Sequence, residues 1–493
     1  MMDSLYTEFV EQSRKIADLQ YAAAVLEWDK ETYMPAKSAE IRSQQIATLS
    51  ETAHTWLIDP AYENVMQQLL EQKDLSENEL DNVKIRLKEV LRLKKKTPAF
   101  VRKMSETVSK AYHKWIEARR KNDFSIYAPA LEELINLKKE EAEIYGYEEH
   151  PYDALLQEYE ESASVEMLDK VFADLLPGLS EILEKYKNKN IDTHFLHKKY
   201  DAAKQLEWGK YLAEQMGLDK DKTRLDISEH PFTTNFSATD VRITTRIDEN
   251  DFSNNTWSTI HEGGHALYEL GLPIEEYGLP LGTFTSLSIH ESQSRFWENC
   301  VGKNGAFWYH YLPEAQRFFP EQLSEIKLEV FMQAVNRIEP SLIRTEADEV
   351  TYHFHIYIRY LIEKELIAGT ISTKDISKIW NEKYKELLGI DVPDDKSGCL
   401  QDIHWSIGSL GYFPTYSLGS LYAAQFWDKL KSDNPNIESE ISNGNLNTTL
   451  QWLRQNIHQY GKKYDSEQLC KKVTDSTLDS TIFLKYLEDK FSK

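Results

Sequence analysis

Cysteine is scarce in this chain of 493 residues: there are three, Cys300, Cys399 and Cys470. Odd in number and widely spaced, they fit neither a disulfide framework nor a paired-thiol zinc site. No apolar run nears the roughly 18 residues of a membrane span. The first dozen residues carry Asp3 and Glu8, where a secretory leader would be basic and then apolar. Glycine is absent before Gly146, and only Pro35, Pro60, Pro98 and Pro129 interrupt that stretch. It must therefore be mainly long helices. Basic side chains are outnumbered, 58 against 81 acidic ones, which leaves a formal charge of -23. Such a body repels phosphate backbones and makes nucleic acid a poor partner. Internal repeats and low-complexity linkers are missing as well. These absences lead us to expect a soluble, cytoplasmic protein with no membrane or nucleic-acid partner.

The chain has 41% hydrophobic and 12% aromatic residues, which excludes disorder in spite of the charge. Leu80, Val83, Leu87, Val90 and Leu91 recur at helical spacing. The segments 135–147 and 165–186 read as further helices, the second broken near Pro177-Gly178. Between Glu229 and Asp248 the texture changes. His230 to Phe236 and Asp240 to Thr245 read as two short antiparallel strands, the only sheet expected. Helical texture returns after Asn254, a loop-rich stretch runs from Gly389 to Gly419, and the remainder is helical. The expected fold class is mainly α with a small antiparallel sheet. No composition shift divides the chain, so one domain spans 1–493: long helices over 1–228, a motif-bearing region over 229–419 and C-terminal helices over 420–493.

The sharpest motif is His261-Glu262-Gly263-Gly264-His265. Ser253, Asn254 or Asn255 can cap a helix there, and Gly271 with Pro273 ends it. Residues four apart on a helix lie about 40° and 6 Å apart, so both imidazoles can close on one zinc ion. Glu262, about 100° round the helix, can reach a water beside the metal without occupying a ligand position. The chemistry calls for that division: zinc polarises a carbonyl and acidifies water, and a nearby carboxylate moves the proton. Gly263 and Gly264 each cost about 1 kcal/mol in a helix interior, a cost that close approach of another backbone would explain. A third ligand should come from a second helix opening at Ser288. There Glu291 and His290 compete, because neighbours on a helix point about 100° apart.

Further motifs accompany this one: His230-Pro231-Phe232, Asp240-Val241-Arg242-Ile243-Thr244, His290-Glu291-Ser292-Gln293, Ile343-Arg344-Thr345-Glu346-Ala347-Asp348, and Gly398 to Trp405 containing Gln401-Asp402-Ile403-His404. In this order they resemble the carboxypeptidase Taq, or M32, metallocarboxypeptidase family. Gly263 is a small departure, since family members often carry a bulkier residue there. The resemblance implies that His261, His265 and Glu291 bind zinc (cobalt can substitute) and that Glu262 is the general base. It also implies a zincin-like body of two helical halves flanking a deep groove, and a homodimer.

A carboxypeptidase needs a cation for the substrate's free carboxylate, and a guanidinium fork fits it best. Arg344 is expected just inside a helix running from near Pro340 to Gly369, with Asp348 holding its side chain. On pattern alone that pair would be a surface ion pair, and the family's IRxxAD motif is what implies substrate binding. Arg242 is the second cation, with a pairing to Asp240 or Asp348 as its structural alternative, and His230 is a further substrate-binding candidate. His353 and His355 read as structural. For a developing oxyanion the donors are His404, Tyr412 and Tyr416, by similarity to helical zinc peptidases that place a His and then a Tyr on such a loop. Gly408, Gly411 and Gly419 would let this loop bend as a lid. The reading is a zinc carboxypeptidase of broad specificity acting on peptides with a free C-terminus. An endopeptidase or dipeptidase on the same scaffold, or a metal-free helical interaction protein, is the alternative.

Overall fold

The computed structural model describes residues 4–187 and 191–492. As the composition requires, helices dominate. Six of them bear on the site: α1 (Ser4–Thr32), α2 (Ala202–Met216), α3 (Phe252–Glu269), α4 (Leu287–Arg295), α5 (Tyr352–Ala368) and α6 (Pro414–Asp433). Apolar side chains from α2 to α6 and from the C-terminal helices join one extended core that runs from Ala111 to Leu487. The N-terminal helices make a smaller cluster of their own around Phe9, Met66, Leu69 and Val83, which Leu279 also joins. No described helix is long and apolar enough to cross a membrane.

The sheet departs from expectation. It has three strands, β1 (Thr223–Ile227), β2 (Thr233–Ser237) and β3 (Asp240–Thr245), in the order β1-β3-β2. β2 and β3 pair antiparallel, but β1 lies parallel to β3, so the sheet is mixed. β1 escapes a sequence reading because it is five residues long and pairs in parallel, so that no hairpin turn marks it; its Arg224 and Asp226 pair, Nε to Oδ2 at 2.5 Å. His230-Pro231-Phe232 precedes β2 instead of belonging to it.

Three helix boundaries also differ. The helix Val165–Tyr186 runs unbroken through Pro177. Gly178 serves packing, because a Cβ there would lie 2.5 Å from Leu484 on the C-terminal helix. α5 starts only at Tyr352, and Arg344 lies in a single 3-10 turn, Arg344–Glu346. Asp348 is the reason: its carboxylate accepts from the backbone N–H groups of Val350, Thr351 and Glu339 and from the Thr351 hydroxyl, a turn that competes with helix. Finally, α6 begins at Pro414, which suits the first helical position. Tyr416 and Gly419 are therefore helical and not part of a loop.

Candidate active site

α3 is capped by Asp251, whose carboxylate accepts from Ser253 N at 2.8 Å, in place of the three capping residues expected. α4 is capped by Ser286, which accepts from Ile289 N. Gly264 explains how closely the two helices approach. A Cβ there would meet Gln293 O at 2.6 Å and Ser294 Cα at 2.7 Å, so only glycine allows this backbone contact. Gly263 instead faces the flexible end of Met216, at 2.8 Å from Cε.

This contact brings His261, His265 and Glu291 together, with one ligand atom from each lying within 4.8 Å of the others. Glu291 Oε2 is 3.8 Å from His261 Nε2 and 3.5 Å from His265 Nε2. Tetrahedral bonds of about 2.0–2.2 Å to one ion would space donors about 3.3–3.6 Å apart, close to what is found. The tautomers fit as well. His261 Nδ1 meets Glu298 Oε2 at 2.9 Å, and a carboxylate only accepts, so Nδ1 holds the proton and Nε2 presents its lone pair. His265 reaches the same state through an intermediary. Glu269 Oε1 takes the Nε2 proton of His290 at 2.8 Å, leaving His290 Nδ1 to accept from His265 Nδ1 at 2.7 Å. His290, the rival ligand, thus lies behind His265. Two locked imidazoles and one carboxylate suit a divalent ion with an open position.

Charges around the cluster are compensated locally. Burial would raise the Glu291 carboxyl, but Arg295, at 2.7 Å, and the two imidazoles hold it well below the usual range. Glu298 is likewise buried yet held low by Lys303 and Arg295. Burial would lower His261, but Glu291 and Glu298 draw it upward, whereas burial and His290 push His265 down to about 3. Glu262 differs from the other acids. Burial raises it, and its direct donor is Thr233 Oγ1, 2.6 Å from Oε2.

The second part of the site surrounds Asp402. Arg344 reaches Asp402 Oδ1 through Nε at 3.0 Å and Nη2 at 2.9 Å, and its Nη1 donates to Tyr352 Oη at 3.1 Å. Asp348 is not its partner. Arg359, fully buried, takes Asp402 Oδ2 through Nε at 2.6 Å. Two guanidinium groups share one carboxylate, so a positive charge is left over. His404 Nε2 lies 3.1 Å from Tyr416 Oη, and Tyr412 packs against both rings. Burial pushes His404 down to about 4, pushes Tyr412 up to about 12 and also raises Tyr416. The two parts meet in two places. Arg295 stacks over Tyr352, with Cζ 4.5 Å from the ring centroid. Gly419, one turn after Tyr416, packs against Glu291, whose Cγ a Cβ would meet at 2.6 Å.

Other expected residues lie apart. His230 is exposed, with its carbonyl accepting from Ser228 Oγ. Arg242 is taken up by Asp240, at 3.0 and 2.9 Å, between the rings of Trp28 and Phe236. His353 and His355 are fully buried against Ser417 and Tyr384. The lid is not supported: Gly411 N donates to the buried Glu363 at 2.8 Å, and Gly419 is helical. Sequence reasoning missed Glu269, Glu298, Thr233, Arg359 and the role of Asp402 as the anchor of Arg344 and Arg359. Glu269 carried one usable signal, lying seven residues, about two helical turns, after Glu262.

A family model described as carboxypeptidase Taq (M32) metallopeptidase matches residues 8–491. The chain belongs to that family. Carboxypeptidase 1 of Bacillus subtilis (strain 168) is 38% identical over 488 residues, covering 98% of this chain and 97% of its own. Thermostable carboxypeptidase 1 of Thermus thermophilus is 37% identical over 508 residues, covering 99% of each. The crystal structure of the M32 carboxypeptidase from Deinococcus radiodurans R1 superposes with a TM-score of 0.96 at 34% identity, over 99% of both chains. This M32 chain is a metallocarboxypeptidase, a peptide hydrolase. Its family implies a divalent metal, and His261, His265 and Glu291 form a set able to hold one.

Proposed function

We propose that this M32 enzyme is zinc-dependent and removes C-terminal residues from peptides of broad sequence, with Glu262 as general base. The observation carrying the reading is the triad of His261, His265 and Glu291, with both Nε2 lone pairs turned to one carboxylate oxygen and Glu262 on the same helix. Two imidazoles and a carboxylate suit zinc, with cobalt as a substitute. The ion, when bound, supplies Lewis-acid polarisation of the scissile carbonyl and acidifies the attacking water. Glu262 takes the proton from that water and delivers it to the leaving nitrogen, and its raised affinity for protons suits it to both tasks. His404, neutral because burial holds it at about 4, donates from Nε2 to Tyr416, which frees the Tyr416 hydroxyl proton for the developing oxyanion. The charge left over at Arg344, Arg359 and Asp402 attracts the terminal carboxylate, with Arg344 as the contact.

Three buried free thiols, Cys300, Cys399 and Cys470, suit a reducing cytoplasm, and the family resemblance supports a homodimer. The test pairs peptides with their C-terminal amides. Glu262→Gln should retain metal and lose about 100- to 10,000-fold in kcat. Arg344→Ala should raise KM for the free acids far more than for the amides. Ordinary turnover by Glu262→Gln, or equal effects of Arg344→Ala on acid and amide, would reject the corresponding assignment.

A further inference from the structure

β2 is an edge strand, and its side chains alternate between faces, so Thr233 and Asn235 share one side. α3 packs against it. Glu262 and Glu269 lie seven residues apart on α3, about two turns, and so return to the same side of the helix. The strand meets both. Thr233 Oγ1 donates to Glu262 Oε2 at 2.6 Å and also lies 3.0 Å from the Glu262 carbonyl. Asn235 Nδ2 donates to Glu269 Oε2 at 2.7 Å. Glu269's other oxygen holds His290, and His290 holds His265. No other side-chain donor is seen on either of these two Glu269 and Glu262 Oε2 atoms among the described residues.

We propose that β2 is a double positioning element: Thr233 sets the carboxylate of the general base, and Asn235 sets the Glu269–His290 pair that orients His265. Neither residue touches substrate. The inference rests on the reading of Glu262 as base and His265 as ligand. It adds that one strand controls the two through separate side chains, so that each can be lost alone. The one hydroxyl proton has two acceptors within reach, both on Glu262, and the shorter contact, to Oε2, restrains the swing of that carboxylate. Without it, the base samples rotamers that miss the water. Asn235 is linked to His265 through three hydrogen bonds in series, by way of Glu269 and His290, so its loss loosens the ligand and not the base.

The experiment measures kcat, KM and zinc affinity by chelator competition, on the full chain. Thr233→Val keeps the shape and removes the donor. It should lower kcat about 10- to 100-fold with KM and zinc affinity within about threefold of wild type, and Thr233→Ser should recover most of the loss. Asn235→Leu should weaken zinc about tenfold and speed its release. Wild-type kcat in Thr233→Val, or wild-type zinc affinity in Asn235→Leu, overturns the proposal. So does a parallel loss of kcat and zinc in both variants without rescue by serine, which is what simple collapse of the strand gives. Glu262→Gln, assayed alongside, separates the two levels. If it turns over normally, the reading of the base fails; if it is dead while Thr233→Val is fully active, only the present inference fails.

Discussion

His261, His265 and Glu291 sit on two helices in backbone contact at Gly264, and every hydrogen-bond and ion-pair partner described for them lies within residues 233–303. Arg344, Asp402, His404 and Tyr416 are assembled differently. Arg344 and Asp402 are 58 positions apart in the chain, and Arg359 comes from yet another element. The first cluster is rigid because helix packing fixes it. The second depends on one carboxylate shared by two arginines and on Glu363 beneath the segment that carries His404. A metal site tolerates little displacement of its ligands, whereas a terminal carboxylate needs mainly a surplus of positive charge. The division of construction follows that division of labour.

The largest effect should come from deleting a ligand in the first cluster. Glu291→Ala should cost about 1,000-fold in zinc affinity, a share of the roughly 10–16 kcal/mol typical of complete structural sites. His290→Ala, acting from behind His265, should cost about 10- to 100-fold. Elemental analysis after dialysis against buffered zinc checks both. If His290→Ala proves the more damaging, the ligand has been misassigned and the locked-tautomer account of His265 falls with it.

The contrast in construction also explains what was legible in the sequence. His261 and His265 form a local pattern whose geometry follows from helical pitch alone, and Glu291 lay one short connection away. Arg344 could be picked out by motif, but not its surroundings. Ile343, Ala347, Val350 and Phe354 keep helical spacing, yet Asp348 captures the N–H groups that a helix starting at Pro340 would need. Asp402 could not be recognised as Arg344's partner, because nothing local relates residues so distant in the chain. β1 is short and pairs in parallel with β3, so no hairpin turn marks it in the sequence. Glu298 follows α4 in a π-helical stretch, Phe296–Gly302, where ordinary helical spacing no longer tells which way a side chain points.

A smaller effect sharpens the account of rigidity. Gly264→Ala puts a methyl group into the backbone of Gln293 and Ser294, and neither can yield by rotating a side chain. It should destabilise the fold by up to about 3 kcal/mol and weaken zinc as α3 and α4 separate. Gly263→Ala meets only the end of Met216, which can turn aside. There the better helix propensity of alanine should win, with a gain of up to about 1 kcal/mol. Urea midpoints for the two variants decide the matter, and similar losses for both would mean that the contact at Gly264 is not what holds the cluster.

The last effect belongs to the second region and depends on pH. Glu363 is fully buried, and it accepts from Tyr152 Oη, from Trp405 Nε1 at 2.7 Å and from Gly411 N at 2.8 Å. Burial outweighs those donors and pushes its carboxyl up to about 7. The unfolded chain releases this proton near pH 4.3, so between there and about pH 7 the folded state binds more protons. Stability from this group is complete below the lower value and is lost as pH rises through the upper one. Between about pH 5.5 and 8 the loss should be about 2 kcal/mol. Glutamine cannot titrate, and its amide hydrogens would oppose one of the donors, so Glu363→Gln should be the less stable protein at pH 5.5. That deficit should shrink at pH 8, where the wild type has lost its proton. Urea denaturation of both proteins across this range gives the result, and parallel curves would show that Glu363 is already ionised. The segment from Trp405 to Gly411 would then be fastened to a charge, and the second region would be as rigidly held at neutral pH as the first.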